Sequence, residues 1–169
     1  MKISLFQIDA FASRVFSGNS AAVCPLDKWI DDSIMQAIAR ENNLSETAFF
    51  VKREKQYELR WFTPVTEVDL CGHATLAAAF VLFNELKISA KEIVFHTKSG
   101  PLTVEQKGEL LEMDFPMQLP VACDVPNDLI KGLGKKPAEV LNSEDYLAIF
   151  DSESKVRNIM PDFERLKRL

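Results

Sequence analysis

The stretch Val68-Asp69-Leu70-Cys71-Gly72-His73-Ala74-Thr75-Leu76-Ala77-Ala78-Ala79-Phe80 places a carboxylate, a thiol and one of the chain's two histidines directly before a run with almost no polar side chains. Polar groups are costly to bury unless they are paired. The run itself predicts a helix over residues 72 to 86. It carries Leu76, Phe80, Val81, Leu82, Phe83 and Leu86 with alanines between them, apolar on every side. A helix of that kind must be enclosed, and the segments around it supply the enclosure.

Upstream, Lys2 to Ala12 reads as a strand, followed by a loop, Ser13 to Ser20, whose Gly18-Asn19 pair suits a tight turn and positive φ. Ala21 to Pro25 reads as a short buried strand. Asp31-Asp32-Ser33 offers N-caps for an amphipathic helix reaching about Asn43, with Ile34, Met35, Ile38 and Ala39 on one face. Thr47 to Val51 and Tyr57 to Phe62 then read as strands.

Downstream of the apolar helix, Glu92 to Thr97, Leu102 to Gln106 and Leu110 to Phe115 read as strands joined by Ser99-Gly100 and Lys107-Gly108, which is hairpin chemistry. Pro116, Pro120 and Pro126 interrupt the pattern. A small helix, a strand (Tyr146 to Phe150) and another helix follow them. The expected division is therefore a lobe over 1–118, with its central helix at about 72–86, and the incomplete start of a second lobe over 119–169. A piece of roughly 45 residues falls below the size at which domains are normally stable alone, so the chain is expected to stop mid-domain.

Composition narrows the function. The chain has 169 residues, is 47% hydrophobic and carries a formal net charge of −5. No segment has the cluster of Lys and Arg that phosphate binding needs, so no nucleic-acid partner is expected. Three widely spaced cysteines suit reduced thiols better than a disulfide framework. The N-terminal stretch lacks the pattern of a signal peptide. The longest apolar stretch, Ala74 to Phe83, is about half the roughly 20 residues of a membrane span. A soluble, cytoplasmic protein with no membrane partner is the expectation. The six glycines are scattered, with no Walker or dinucleotide pattern, so no nucleotide cofactor is expected.

Two segments could carry chemistry. A helix beginning near Gly72 presents unpaired N–H groups and the positive end of its dipole, so the Gly72-His73-Ala74-Thr75 turn suits a carboxylate, and glycine lets it come close. The plainer reading is that His73 and Thr75 only satisfy backbone groups at the helix start. Glu46, in Asn42-Asn43-Leu44-Ser45-Glu46-Thr47-Ala48-Phe49-Phe50, sits between a helix end and an apolar strand. Apolar walls disfavour a carboxylate and suit it to acid–base work, whereas a solvated turn would leave it ordinary. Cys71 reads as a small buried hydrophobe. Cys71 and His73 are only two ligands at an unusual spacing, so no metal is expected. His96 reads as a structural side chain within a strand.

These residues resemble a known family. Phe6-Gln7-Ile8-Asp9-Ala10-Phe11 with Phe16-Ser17-Gly18-Asn19-Ser20-Ala21-Ala22-Val23, then Asn43 to Phe49, Leu59-Arg60-Trp61-Phe62-Thr63-Pro64 and Asp69 to Ala79 are similar, in the same order, to the motifs of the phenazine-biosynthesis PhzF-like family. The resemblance covers residues 1 to about 120 strongly. It implies an α+β, diaminopimelate-epimerase-like fold: a rolled, mostly antiparallel sheet around a central apolar helix, repeated in a second similar lobe, with the active site between the two. It further implies a cofactor-independent isomerase that moves a proton between carbons of a small carboxylated metabolite. Glu46 and His73 would be catalytic, and Gly18, Asn19, Ser45, Gly72, Ala74 and Thr75 would bind the substrate. Ser20 stands where the family commonly has proline. Members are longer, and the further acidic residue and Gly-Ser-Ala-His-like turn of their second lobe are absent from this sequence.

Two other readings stay open. A racemase or epimerase of the same fold would use paired cysteines as opposed acid and base. A non-catalytic lobe would act as an oligomerising binding protein. A homodimer is expected under either class.

Overall fold

The computed structural model describes residues 2–14 and 16–169; Met1 and Val15, the latter inside the expected loop Ser13 to Ser20, lie outside them. The chain forms two compact units, Met1–Phe115 and Pro116–Leu169.

The first unit is built on one curled, eight-stranded sheet. In chain order its strands are β1 (Phe6–Ala10), β2 (Asn19–Leu26), β3 (Glu46–Arg53), β4 (Gln56–Phe62), β5 (Glu67–Val68), β6 (Glu92–Thr97), β7 (Gly100–Lys107) and β8 (Leu110–Asp114). The sheet runs β1-β2-β3-β4-β6-β7-β8, with β5 paired to β4. Two of its pairings, β2 with β3 and β4 with β6, are parallel, and the others are antiparallel. Each parallel pair marks a place where a helix intervenes in the chain, because parallel neighbours need a crossover that a tight turn cannot supply.

The first crossover is α1 (Asp32–Asn42), which buries Met35 and Ala39 and ends on Asn43 in the left-handed conformation at φ 50°. It covers the outer face of the sheet, packing with Cys24, Phe49 and Phe62. The second crossover carries α2 (Gly72–Phe80) and a π-helical turn, Val81–Glu85, where the sequence predicted one uninterrupted helix. This helix lies in the concavity of the sheet. Ala74, Ala77, Ala78 and Ala79 are fully buried, and their small side chains let the strands approach the helix axis closely. Ala21, Val23, Ala48, Phe50, Tyr57, Leu59, Trp61, Phe95, Leu102 and Val104 pack around it. β3 is therefore buried on both faces, by α2 within and α1 without, which explains its unbroken apolar run Ala48-Phe49-Phe50-Val51.

Enclosure of the central helix is incomplete, contrary to the expectation drawn from its apolar circumference. The edge strands β1 and β8 do not pair, and between them lies a cavity of about 680 Å³ reached by Leu76, Ala77 and Phe80. Phe80 is 38% exposed there.

The second unit holds β9 (Val121–Ala122), α3 (Asn127–Leu133), β10 (Glu139–Asn142), β11 (Tyr146–Ile149), α4 (Glu153–Arg157) and α5 (Phe163–Leu166). Its strands form a small antiparallel sheet in the order β11-β10-β9. Leu129, Pro137 and Val140 are its buried apolar side chains among the described residues, a sparse core for its length. Among the described residues no helix is long and apolar enough to cross a membrane.

Candidate active site

Glu46 opens β3, and side chains alternate between the faces of a strand, so Glu46 shares the inner face with Ala48 and Phe50. Its register partner on β2, Ala21, is also an inner-face residue. The carboxylate therefore points at the start of α2 and away from solvent. The turn that delivers it is fixed from behind, where the Asn42 amide donates to the hydroxyl of the fully buried Thr47 at 3.1 Å.

His73 lies at the second position of α2, after the cap residue Cys71 and Gly72. Its Nε2 is 3.1 Å from Glu46 Oε2, and the two side chains are only 10% and 19% exposed. The two atoms stand at hydrogen-bonding distance without hydrogen-bonding alignment, so each is a buried polar atom with no satisfied partner. That is an unstable arrangement for a merely structural pair, since an unmade buried hydrogen bond costs about 1–3 kcal/mol. It is an ordinary one for groups that await a substrate.

Burial lowers the pKa of His73 below its usual value, and the opposing charge of Glu46 only partly offsets this. The imidazole is therefore neutral at pH 7 and can accept a proton. Cys71 Sγ lies 3.6 Å from the other ring nitrogen, Nδ1. Burial pushes this thiol up to about 12, so it is protonated, and the Glu46 carboxylate stands beside it as well as the imidazole.

One ligand atom from each of Glu46, Cys71 and His73 lies within 4.8 Å of the others, a donor set that a metal ion could use. Within this cluster Nδ1 of His73 faces Cys71 Sγ at 3.6 Å and Nε2 faces Glu46 Oε2 at 3.1 Å.

The helix start adds unsatisfied donors. The first backbone hydrogen bond of α2 runs from Thr75 N–H to the Cys71 carbonyl at 3.4 Å, leaving the Gly72 and His73 N–H groups before it without an intrahelical acceptor. A Cβ built on Gly72 would meet nothing within 4 Å, so this glycine keeps open the space in front of the helix. Ala74 and Thr75 are fully buried, and the Thr75 hydroxyl donates to the Cys71 carbonyl at 2.5 Å.

Of the remaining sequence candidates, Asn19 and Ser45 come together, with the Ser45 hydroxyl 3.5 Å from Asn19 Oδ1, both on exposed residues beside Glu46. Gly18 adopts φ +86°, and a Cβ there would stand 2.3 Å from the Ala10 carbonyl oxygen. This glycine shapes the turn that presents Asn19. The structure thus gathers Glu46, Ser45 and Asn19 on the β2–β3 side, and Gly72 and His73 on the helix side. His96 is exposed and pairs with Gln56, away from the site. The nearness of the Cys71 thiol to the His73 ring is the feature sequence reasoning undervalued, although the Cys-x-His spacing was there to be read.

Comparison with known proteins settles the family. The family model for phenazine biosynthesis-like protein, PhzC-PhzF, matches residues 8–168. The chain belongs to the PhzF-like family. A Pseudomonas aeruginosa relative, described as an uncharacterized isomerase, is 54% identical over 169 residues. The match covers 100% of this chain and 65% of that protein. The crystal structure of a PhzF family protein from Enterococcus faecalis superposes with a TM-score of 0.90 at 47% identity, covering 100% of this chain and 65% of that one. The chain thus spans about two thirds of the length of these PhzF-like relatives. A hydroxyproline epimerase from Agrobacterium vitis, 9% identical, aligns over 88% of this chain and 51% of its own with a TM-score of 0.55. That likeness concerns the fold alone and places the PhzF-like lobe among epimerase-like architectures.

Proposed function

We propose that this PhzF-like protein is a cofactor-independent isomerase that moves a proton between two carbons of a small carboxylated metabolite, with Glu46 as the acid–base group. The observation that carries this reading is the Glu46 carboxylate whose buried Oε2 lies 3.1 Å from a neutral imidazole without an aligned hydrogen bond. Glu46 removes a proton from a carbon beside the substrate's carboxylate. His73 stabilises the charge that develops and, with Glu46, returns the proton at the second carbon. The free N–H groups of Gly72 and His73 hold the substrate carboxylate, and Asn19 and Ser45 line the approach. The protein acts as a homodimer in the cytoplasm under this reading.

An epimerase of the same fold would return the proton to the carbon it left. The Cys71 thiol, pushed up to about 12, is poorly suited to serve as its base. Turnover in deuterated water of a panel of small unsaturated carboxylates and cyclic amino acids tests the difference. The isomerase leaves deuterium on a carbon other than the one deprotonated. Deuterium on the original carbon, with inversion, would establish the epimerase instead.

A further inference from the structure

The end of the curled sheet opposite Glu46 holds a second cavity, of about 570 Å³, within the range of small-molecule sites. Its walls are apolar and aromatic: Phe6 and Phe50 from the strands, Leu82 and Leu86 from the far end of the central helix, and Ile88 beyond it. Leu82 lies about 14 Å along the helix axis from His73. Lys52 lies about 20 Å along β3 from Glu46. The two sites are therefore physically separate.

Its rim is cationic. Lys2, Lys28 and Lys52 line the opening, against Asp27 as the one acidic residue. Lysine ion pairs among the described residues involve Lys98, Lys107, Lys155 and Lys167, and none of these three. Lys52 is the informative one. It pairs in register with Tyr57, whose ring packs against Phe50 at 5.6 Å between centroids, so Lys52 stands on the inner, core-facing side of the sheet at its open end. An unpaired lysine on a core-facing register, above aromatic and aliphatic walls, matches a ligand with an anionic head and an apolar body. The cavity between β1 and β8 provides the contrast: its charged lining residues, Asp9 and Glu109, are both acidic.

We infer that this cavity binds an amphipathic organic carboxylate, with its apolar body against Phe6, Phe50 and Leu82 and its carboxylate among Lys52, Lys28 and Lys2. Occupation would be independent of the Glu46 site. Calorimetric titration with decanoate below its micellar concentration tests the inference, with decyltrimethylammonium as the cationic counterpart of equal tail length. One decanoate should bind per chain, and the cation should bind at least about tenfold more weakly. Lys52→Glu and, separately, Lys28→Glu should each weaken decanoate by about tenfold with circular dichroism unchanged, because both side chains are exposed. Glu46→Gln should leave decanoate affinity as it is. Equal binding of the anion and the cation, absence of decanoate binding, or decanoate affinity unmoved by both lysine variants would overturn the inference.

Discussion

Glu46 Oε2 and His73 Nε2, brought together from the start of β3 and the start of α2, lie 3.1 Å apart in a setting that leaves both buried and neither aligned with a partner. The sheet supplies the carboxylate, the helix supplies the imidazole, and the packing of α2 inside the sheet fixes the gap between them.

Because burial holds the His73 pKa below its usual value, the folded state prefers the neutral ring, while the unfolded chain takes up a proton near pH 6.5. The associated stability is present above about pH 6.5 and is lost as pH falls through the lower folded-state value. Thermal melts between pH 8 and pH 5 should show the wild type losing more of its Tm on acidification than His73→Gln. Parallel pH profiles for the two proteins would show that the ring does not titrate as described.

Two glycines should respond in opposite ways to the same change. Gly18→Ala forces φ +86° on a residue with a Cβ that would stand 2.3 Å from the Ala10 carbonyl oxygen, so it should cost about 2 kcal/mol or more in urea unfolding. Gly72→Ala meets open space and should leave the melt within a few degrees of wild type while impairing turnover, by filling the approach to the helix start. A Gly72→Ala protein with full activity would show that the substrate does not come close there.

Thr75 ties the helix start to the cap residue through its buried hydroxyl, 2.5 Å from the Cys71 carbonyl. Thr75→Val keeps the shape and removes the donor, while the Thr75 N–H still serves the same carbonyl at 3.4 Å. Denaturant unfolding should report a loss of about 1 kcal/mol.

The thiols should differ in reactivity. Cys24 and Cys71 are buried and each pushed up to about 12, whereas Cys123 is partly exposed. Iodoacetamide at pH 8 should label Cys123 alone in the folded protein, as read by peptide mass mapping, and all three cysteines after denaturation. Labelling of Cys71 at a rate comparable to Cys123 would mean that the thiol is ionised and would revive it as a proton-transfer group.

Much of this lobe is legible in the sequence because its strongest signals are local. The Gly72-His73-Ala74-Thr75 start follows from a glycine and an apolar run, and the hairpins of β6, β7 and β8 follow from Ser99-Gly100 and Lys107-Gly108. What local patterns cannot carry is pairing between distant segments. The parallel register of Ala21 with Glu46 decides which way the carboxylate points, and it depends on α1 packing outside the sheet. Nothing near Phe80 reveals that β1 and β8 leave a gap beside it, and the two short strands Val121–Ala122 and Glu139–Asn142 are too brief for their alternation to register. The contact between Glu46 and His73 was implied by family resemblance, with each residue independently suspect for its polar chemistry in an apolar setting.

The central claim is that Glu46 carries the proton, and solvent deuterium incorporation into a turned-over substrate measures it most directly. Glu46→Gln is nearly isosteric and cannot exchange a proton at neutral pH, so incorporation should fall by about 10²–10⁴-fold relative to wild type, while Cys71→Ser retains most of it. Wild-type incorporation by Glu46→Gln, with loss confined to Cys71→Ser, would contradict the account.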